Sequence, residues 1–415
     1  MKRIPGAPDN FRRRDFFRET GALAAAVAIP LHIEEAGTAS GAAAIRPGQA
    51  MPTPHALSGG ISLSDFGGVP GAGGDAIISA FHQAFDLLKR AGGGVLFIPP
   101  GIYDLGEHGG GIYLIRASDL QNVEISGYGA TLQMTTTAVT TNVFFNLENP
   151  SNVSIRGLSF YDHGTDLSVD WRGAVCFDVY TTRPCSGFRT VDCTADHVLN
   201  FFRSFAQGEE KYTLTGCDLN AVVKNSYYGI NMKYNGRYSK CNLTCIAVRR
   251  GFIGYGVKNW HITMHCNSRD RAKGSNGFIN LITFTEDPAE HCAIKLTVTG
   301  STNPYTALVH FYHQDVGEQQ TIRDISASVD LKQATGRATI FLFDHALKTG
   351  VKRETTRTFE RITLDGTVGR RYAGKVIANP SVSTGLTNDI KVSRHLVRDR
   401  DMAALPKYIV TFMPC

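Results

Sequence analysis

Two periodicities divide this chain. Between Asp75 and Arg90 the apolar residues Ile77, Ile78, Phe81, Phe85, Leu87 and Leu88 recur near helical spacing, with Gln83, Asp86, Lys89 and Arg90 mostly on other faces. That pattern predicts one amphipathic helix with a buried side. Asp75 is placed to cap its start, and Gly92, Gly93 and Gly94 end it where left-handed backbone costs least. From Gly101 onward the period falls to two. Alternating runs begin at Asn122, Asn152, Gly187, Tyr212, Lys240, Trp260, Ala293, Ile322, Phe359 and Asp389, at intervals of roughly 20 to 37 residues. The first two, NVEISG and NVSIRG, are nearly the same hexapeptide. Units of this length stack only on their neighbours. One elongated all-β solenoid over 61–415 is therefore expected, although length alone suggests two or three domains.

Each unit carries a second strand: Val175 to Tyr180, Val198 to Arg203, Tyr228 to Lys233, Ala247 to Phe252, Phe278 to Ile282, Leu308 to His313 and Ile340 to Asp344. Alternate side chains of a strand face opposite sides, so Phe177, Ile230, Ile279 and Phe311 are predicted to stack inward. The outward set is Asp178, Asn200, Arg203, Asn231, Lys233, Arg249 or Arg250, Asn280, His310 and His313. Stacked coils place these in a ladder along one face, and that ladder is the candidate ligand groove. Solvation accounts for any one of them taken singly. From Tyr227 to Arg250, however, the density of tyrosine, lysine and arginine exceeds what solubility needs.

The stretch SDFGGVPGAGGDAIISAFHQAFDLLKRAGGGVLFIPPGIYDL, within Ile61 to Leu105, resembles the N-terminal signature of the pectate-lyase-like superfamily. Its members are right-handed parallel β-helices that open with a DFGA-type turn, a capping helix and a GGG-strand-PPG-Y segment. The resemblance covers about a tenth of the chain, and the acidic D-D-T usual before the helix is reduced to Gly74-Asp75. It implies a right-handed parallel β-helix with an N-terminal capping helix. It leaves the substrate open, because lyases, hydrolases, epimerases, transferases and phage tail-spikes share this opening.

Charge and cysteines sharpen the picture. The formal charge is +6, and removing the first 44 residues leaves about +5, a mild excess that suits an acidic ligand. No basic run with interleaved aromatics marks a nucleic-acid partner. Arg12-Arg13-Arg14-Asp15-Phe16-Phe17-Arg18 matches the twin-arginine export pattern, and Gly21 to Leu31 supplies an Ala-rich apolar stretch. Residues 1–44 thus read as a Tat-type signal peptide and 45–60 as a leader, with the mature protein periplasmic or secreted. No other segment is long and apolar enough to span a membrane, so none is expected to be contacted after signal cleavage. The nine cysteines fit no zinc spacing and read as buried free thiols.

An acidic polysaccharide can be cleaved by β-elimination. The uronate carboxylate is neutralised, a base removes the proton beside it, and an acid protonates the leaving oxygen. Arg and Asn suit the first task. Lys, His or Arg serve as base only where burial or neighbouring positive charge lowers their proton affinity, and Tyr only where neighbouring positive charge does. Lys224, Tyr228, Lys233, Arg249 and Arg250 are the candidate catalytic residues, and Asp178, Arg203, Asn231, Tyr234, Arg237, Asn280, His310 and His313 the candidate substrate contacts. The arrangement resembles the alginate lyase and chondroitin-B lyase branch, which implies Lys224 in VVKNS as base and Arg250 in AVRRG as acid, with Lys233 and Arg249 competing for the same roles.

Hydrolysis is the rival, since Asp162, Asp166, Asp170 and Asp178 form an acidic segment near His163 that suits paired carboxylates or calcium. A glycosyl transferase and a non-catalytic carbohydrate-binding protein are further alternatives. No motif calls for a cofactor, and calcium stays open.

Overall fold

The computed structural model describes residues 60–168, 172–206, 214–233, 236–268, 280–285, 289–303, 305–313, 321–345, 358–378, 387–397 and 410–413. The Tat-type segment 1–44 and all of the leader except Gly60 lie outside these residues.

The helix forms over Gly74–Ala91 and buries Ile77, Phe81, Phe85, Leu87 and Leu88. Its N-cap is Gly73 rather than Asp75. Gly73 is extended and offers no side chain, while Asp75 lies in the first turn, where its charge faces the positive end of the helix dipole. Gly92 ends the helix at φ 77°. Phe81 meets Phe145 edge-on at 5.5 Å, so the helix covers the end of the apolar stack behind it.

Every strand pairing among the described residues is parallel, in one sheet of nineteen strands and one of ten. Successive coils give the ten-stranded sheet Tyr113–Ser118, Thr141–Glu148, Gly173–Thr181, Asn200–Ala206, Tyr228–Lys233, Arg250–Tyr255, Asn280–Thr285, Ala307–His313, Thr339–His345 and Ile377–Ala378. The fold is thus the expected parallel β-helix. Ile115, Phe145, Phe177, Phe202, Ile230, Phe252, Ile282, Val309 and Phe341 stand in register and are buried. Each such side chain stabilises the coil by about 1.5–3 kcal/mol of transfer free energy.

Phe177 and Ile230 point inward as predicted. Phe311 does so one inward column further on, stacked on Phe343 at 4.9 Å. Ile279 lies outside the described residues, and Ile282 fills the inward position of its coil. The strand expected at Ala247 begins instead at Arg250, because Ala247 turns a corner at φ 53°.

The corners explain how flat strands close into coils. One register position in the nineteen-stranded sheet is left-handed in every coil whose residue there is described: Gly93, Asn122, Asn152, Gly187, Gly216, Tyr238, Asn259, His291, Asp324, Arg361 and Asp389. A single left-handed residue redirects the chain sharply, and asparagine and aspartate tolerate it better than most side chains. Asn152 donates across the column to Asn122 Oδ1 at 2.8 Å. A second corner, made by His197, Asn225 and Ala247, lies between the two sheets.

Candidate functional site

Three rows of side chains cover the outer face of the ten-stranded sheet, stepping by about 4.8 Å from strand to strand. The first holds Asn200, Tyr228 and Arg250, continued by Asn280. The second holds Asp178, Arg203, Asn231, Ile253, Thr283 and His310. The third holds Lys233, Tyr255, Thr285, Tyr312 and Asp344. The predicted ladder therefore exists over much of its length.

Tyr228 and Arg250 form its centre. Arg250 Nη1 donates to Tyr228 Oη at 3.3 Å, and the guanidinium lies 5.6 Å from the Tyr228 ring. The Arg249 guanidinium sits 4.2 Å from the Tyr227 ring, and its Nη1 donates to the Leu167 carbonyl at 2.6 Å. Arg249 thereby fastens the loop around Leu167 over the start of the sheet. Leu199, Tyr227, Tyr228, Ile253 and Tyr255 form an apolar cluster separate from the core, with Leu167 packed against it. Low dielectric around a cation strengthens its attraction for an anion.

Asn280 Nδ2 lies 2.8 Å from His310 Nδ1, and His310 Nε2 lies 3.8 Å from Asp344 Oδ2. Burial lowers the His310 pKa below 6.5, Arg250 lowers it further, and Asp344 opposes both. Asn280 Oδ1 and His310 Nε2 are buried without a hydrogen-bond partner among the described residues, and so are both amide atoms of Asn200. The enclosed His310 ring meets Asn280 through Nδ1. Lys233 Nζ stands 5.8 Å from the Tyr255 ring, and Asn231 lies between Arg203 and Ile253 in register.

Asp178 and Arg203 are placed on this face but face one another. Arg203 donates through Nε to Oδ1 at 3.0 Å and through Nη2 to Oδ2 at 2.5 Å. Burial works against the Arg203 charge, yet Asp178 holds its pKa above the ordinary value. Asp178 is 0% exposed and Arg203 8%, so the two charges are enclosed and satisfy one another in a bidentate pair.

Other candidates are corrected by topology. Lys224 ends a strand of the nineteen-stranded sheet, and the corner at Asn225 separates it from Tyr228 and Arg250, so the implied Lys224–Arg250 pair from adjacent coils is not assembled on one sheet. Arg237 also opens a strand of the nineteen-stranded sheet. His313 is fully buried at the end of its strand, packed on Phe359 at 4.3 Å with Nε2 3.1 Å from the Thr358 carbonyl. Tyr234 lies outside the described residues.

The acidic segment is likewise occupied. Asp162 accepts from Thr136 N and Oγ1, Gly164 N and Thr165 Oγ1, which shapes the turn after its strand. Asp166 accepts from Ser168, whose hydroxyl and amide hold its pKa below the ordinary carboxylate value. Asp170 lies outside the described residues. Among the described residues no group of three His, Cys, Asp or Glu side chains is placed to hold a metal ion. Tyr255, Tyr312, Asp344 and Leu167 were not singled out from the sequence. The first three lie outward in the third row, and counting alternation from Phe252, Val309 and Phe341 would have found them.

No protein-family model matches the chain, and no curated protein matches it. Among solved structures it is similar to the A-module of mannuronan C-5 epimerase AlgE6 from Azotobacter vinelandii, at 14% identity over 78% of this chain and 100% of that one, with a TM-score of 0.34. It is also similar to a hyperthermoactive exopolygalacturonase from Thermotoga maritima, at 10% identity over 80% and 85%, TM-score 0.43. A third is the tailspike of Escherichia coli bacteriophage HK620 in complex with a pentasaccharide, at 12% identity over 85% and 63%, TM-score 0.45. Likeness at these identities is one of fold and assigns no chemistry to this chain.

Proposed function

We propose that the protein is an exported polysaccharide lyase that cleaves an acidic, uronate-containing polymer by β-elimination on the outer face of the ten-stranded sheet. The single observation carrying this reading is the hydrogen bond from Arg250 to the Tyr228 hydroxyl beside Asn280. Arg250 and Asn280 neutralise the uronate carboxylate, which acidifies the adjacent C–H. Tyr228, whose hydroxyl oxygen accepts from Arg250, is the base that takes that proton. The C–H electron pair becomes the new C=C bond, the glycosidic C–O bond breaks, and the Tyr228 hydroxyl returns the proton to the leaving oxygen. Asn231 and Lys233, in the second and third rows on the same strand as Tyr228, bind neighbouring sugars. The experiment is incubation with a panel of uronate and neutral polysaccharides, following ultraviolet absorbance of the unsaturated product and reducing ends together. The two signals should rise in step on a uronate polymer. New reducing ends without absorbance would identify a hydrolase instead.

A further inference from the structure

The corner column of the nineteen-stranded sheet carries a side chain at every step from Tyr238 to Asp389, yet the two steps before Tyr238 are Gly187 and Gly216. That gap adjoins a cleft of about 430 Å3, lined by Gly216, Tyr238 and Asn259 of the column and by Arg189, Asp218, Lys240 and His261 of the row beside it. Arg189, Asp218, Lys240 and His261 stand in register on successive strands. Lys240 Nζ lies 3.1 Å from Asp218 Oδ2, an exposed pair that a competing anion displaces at little cost. Arg189 is exposed and forms no ion pair among the described residues.

Tyr238 is the anomaly. It is 70% exposed, and it sits at φ 52°. Left-handed backbone costs a non-glycine residue about 1–2 kcal/mol, and glycine serves the same corner one coil earlier. An exposed aromatic face beside two cations in a concavity suits a sugar ring bearing a carboxylate. The ring's C–H face lies on the aromatic, and the carboxylate meets the cations.

We infer that this cleft is a second, non-catalytic binding site for an acidic glycan, with one uronate ring on Tyr238 and its carboxylate on Arg189 and Lys240. It takes its ligand class from the proposed function but needs none of that chemistry, and it lies on the other sheet from Arg250. Its role is to retain the polymer.

The test is migration of the folded full chain through native gels containing alginate, polygalacturonate or neutral dextran. Arg250→Ala is used as background so that the polymer is not consumed. That variant should be retarded in at least one of the two uronate gels and not by dextran. Adding Tyr238→Gly, which suits left-handed backbone, together with Arg189→Ala should abolish the retardation. In the otherwise wild-type chain the same two changes should leave the turnover of short oligouronates intact. Retardation that survives both changes, that is equal in dextran, that is already lost in Arg250→Ala alone, or that is absent from both uronate gels overturns the inference. If no polymer yields an unsaturated product yet Tyr238-dependent retardation persists, the lyase reading fails and the second site stands.

Discussion

Asn280 donates to His310 Nδ1 across 2.8 Å, so the amide meets a lone pair that only the uncharged imidazole possesses. Protonating His310 would set two donors against each other and turn Asn280 away from its place beside Arg250. The fold guards against this through burial and the Arg250 charge, which together outweigh Asp344. The His310 ring should therefore titrate below 6.5 when followed by carbon-edited NMR of the histidine rings. Asp344→Asn should lower that midpoint further and Arg250→Gln should raise it. The stability sign follows: a histidine with a depressed folded pKa costs stability as pH falls from the unfolded value of about 6.5 toward the folded one. A midpoint at or above 6.5 in the wild-type chain contradicts the arrangement.

Arg250 and Tyr228 carry the proposed chemistry, whereas Lys224 stands beyond the Asn225 corner. Arg250→Ala and Tyr228→Phe should each lower kcat by about 10²–10³, the range for loss of one preorganised donor at a developing charge. Lys224→Ala should stay near wild type. Kinetics on the best uronate polymer, with thermal unfolding as a control for folding, measure all three. Activity lost in Lys224→Ala but kept in Tyr228→Phe would move the proton transfer to the other sheet.

The fold was legible because it is written twice, in the helical run 75–90 and in alternating strands whose starts recur along the chain. Face assignment was legible wherever a large apolar residue marked the inward side, as at Phe177 and Ile230. It failed at corners. Alternation predicts which side of a strand a residue faces, but not where the chain leaves one sheet for another. Lys224 and Tyr228 are four residues apart in sequence, and one left-handed residue, Asn225, puts them on different sheets. His313 was misplaced for a different reason: counting alternation from the inward Phe311 puts it on the same inward side, where it packs on Phe359. The Asp178–Arg203 pair shows the remaining limit, because only register across 25 residues reveals that two presumed ligand contacts satisfy one another.

The thiols inside the coils should be inert. Burial pushes the pKa of Cys193, Cys217, Cys266 and Cys292 up to about 12, and it raises Cys176, Cys185, Cys241 and Cys245 as well. At pH 8 a thiol of pKa 12 is thiolate in about one molecule in ten thousand, and the reagent must also reach it. Titration of the native chain with an aromatic disulfide should therefore detect at most the thiol of Cys415, which lies outside the described residues. Denaturant should expose all nine. Rapid reaction of two or more in the native state contradicts this burial.

The Asp178–Arg203 pair sets a stability test that separates scaffold from site. Removing one member leaves the other charge enclosed with no counterion, a loss of about 3–5 kcal/mol in buried pairs. Asp178→Ala should lower the unfolding free energy by about that amount, read as a lower denaturant midpoint at unchanged m, because Arg203 cannot shed its proton to escape. The double change Asp178→Leu with Arg203→Met, which replaces the pair by apolar side chains, should recover much of the loss. If Asp178→Ala unfolds at the wild-type midpoint while product formation collapses, Asp178 meets substrate after all and the pair opens in the working enzyme. Equal destabilisation by the single and double changes would show instead that the packing volume of these side chains, not the charge, is what the outer face depends on.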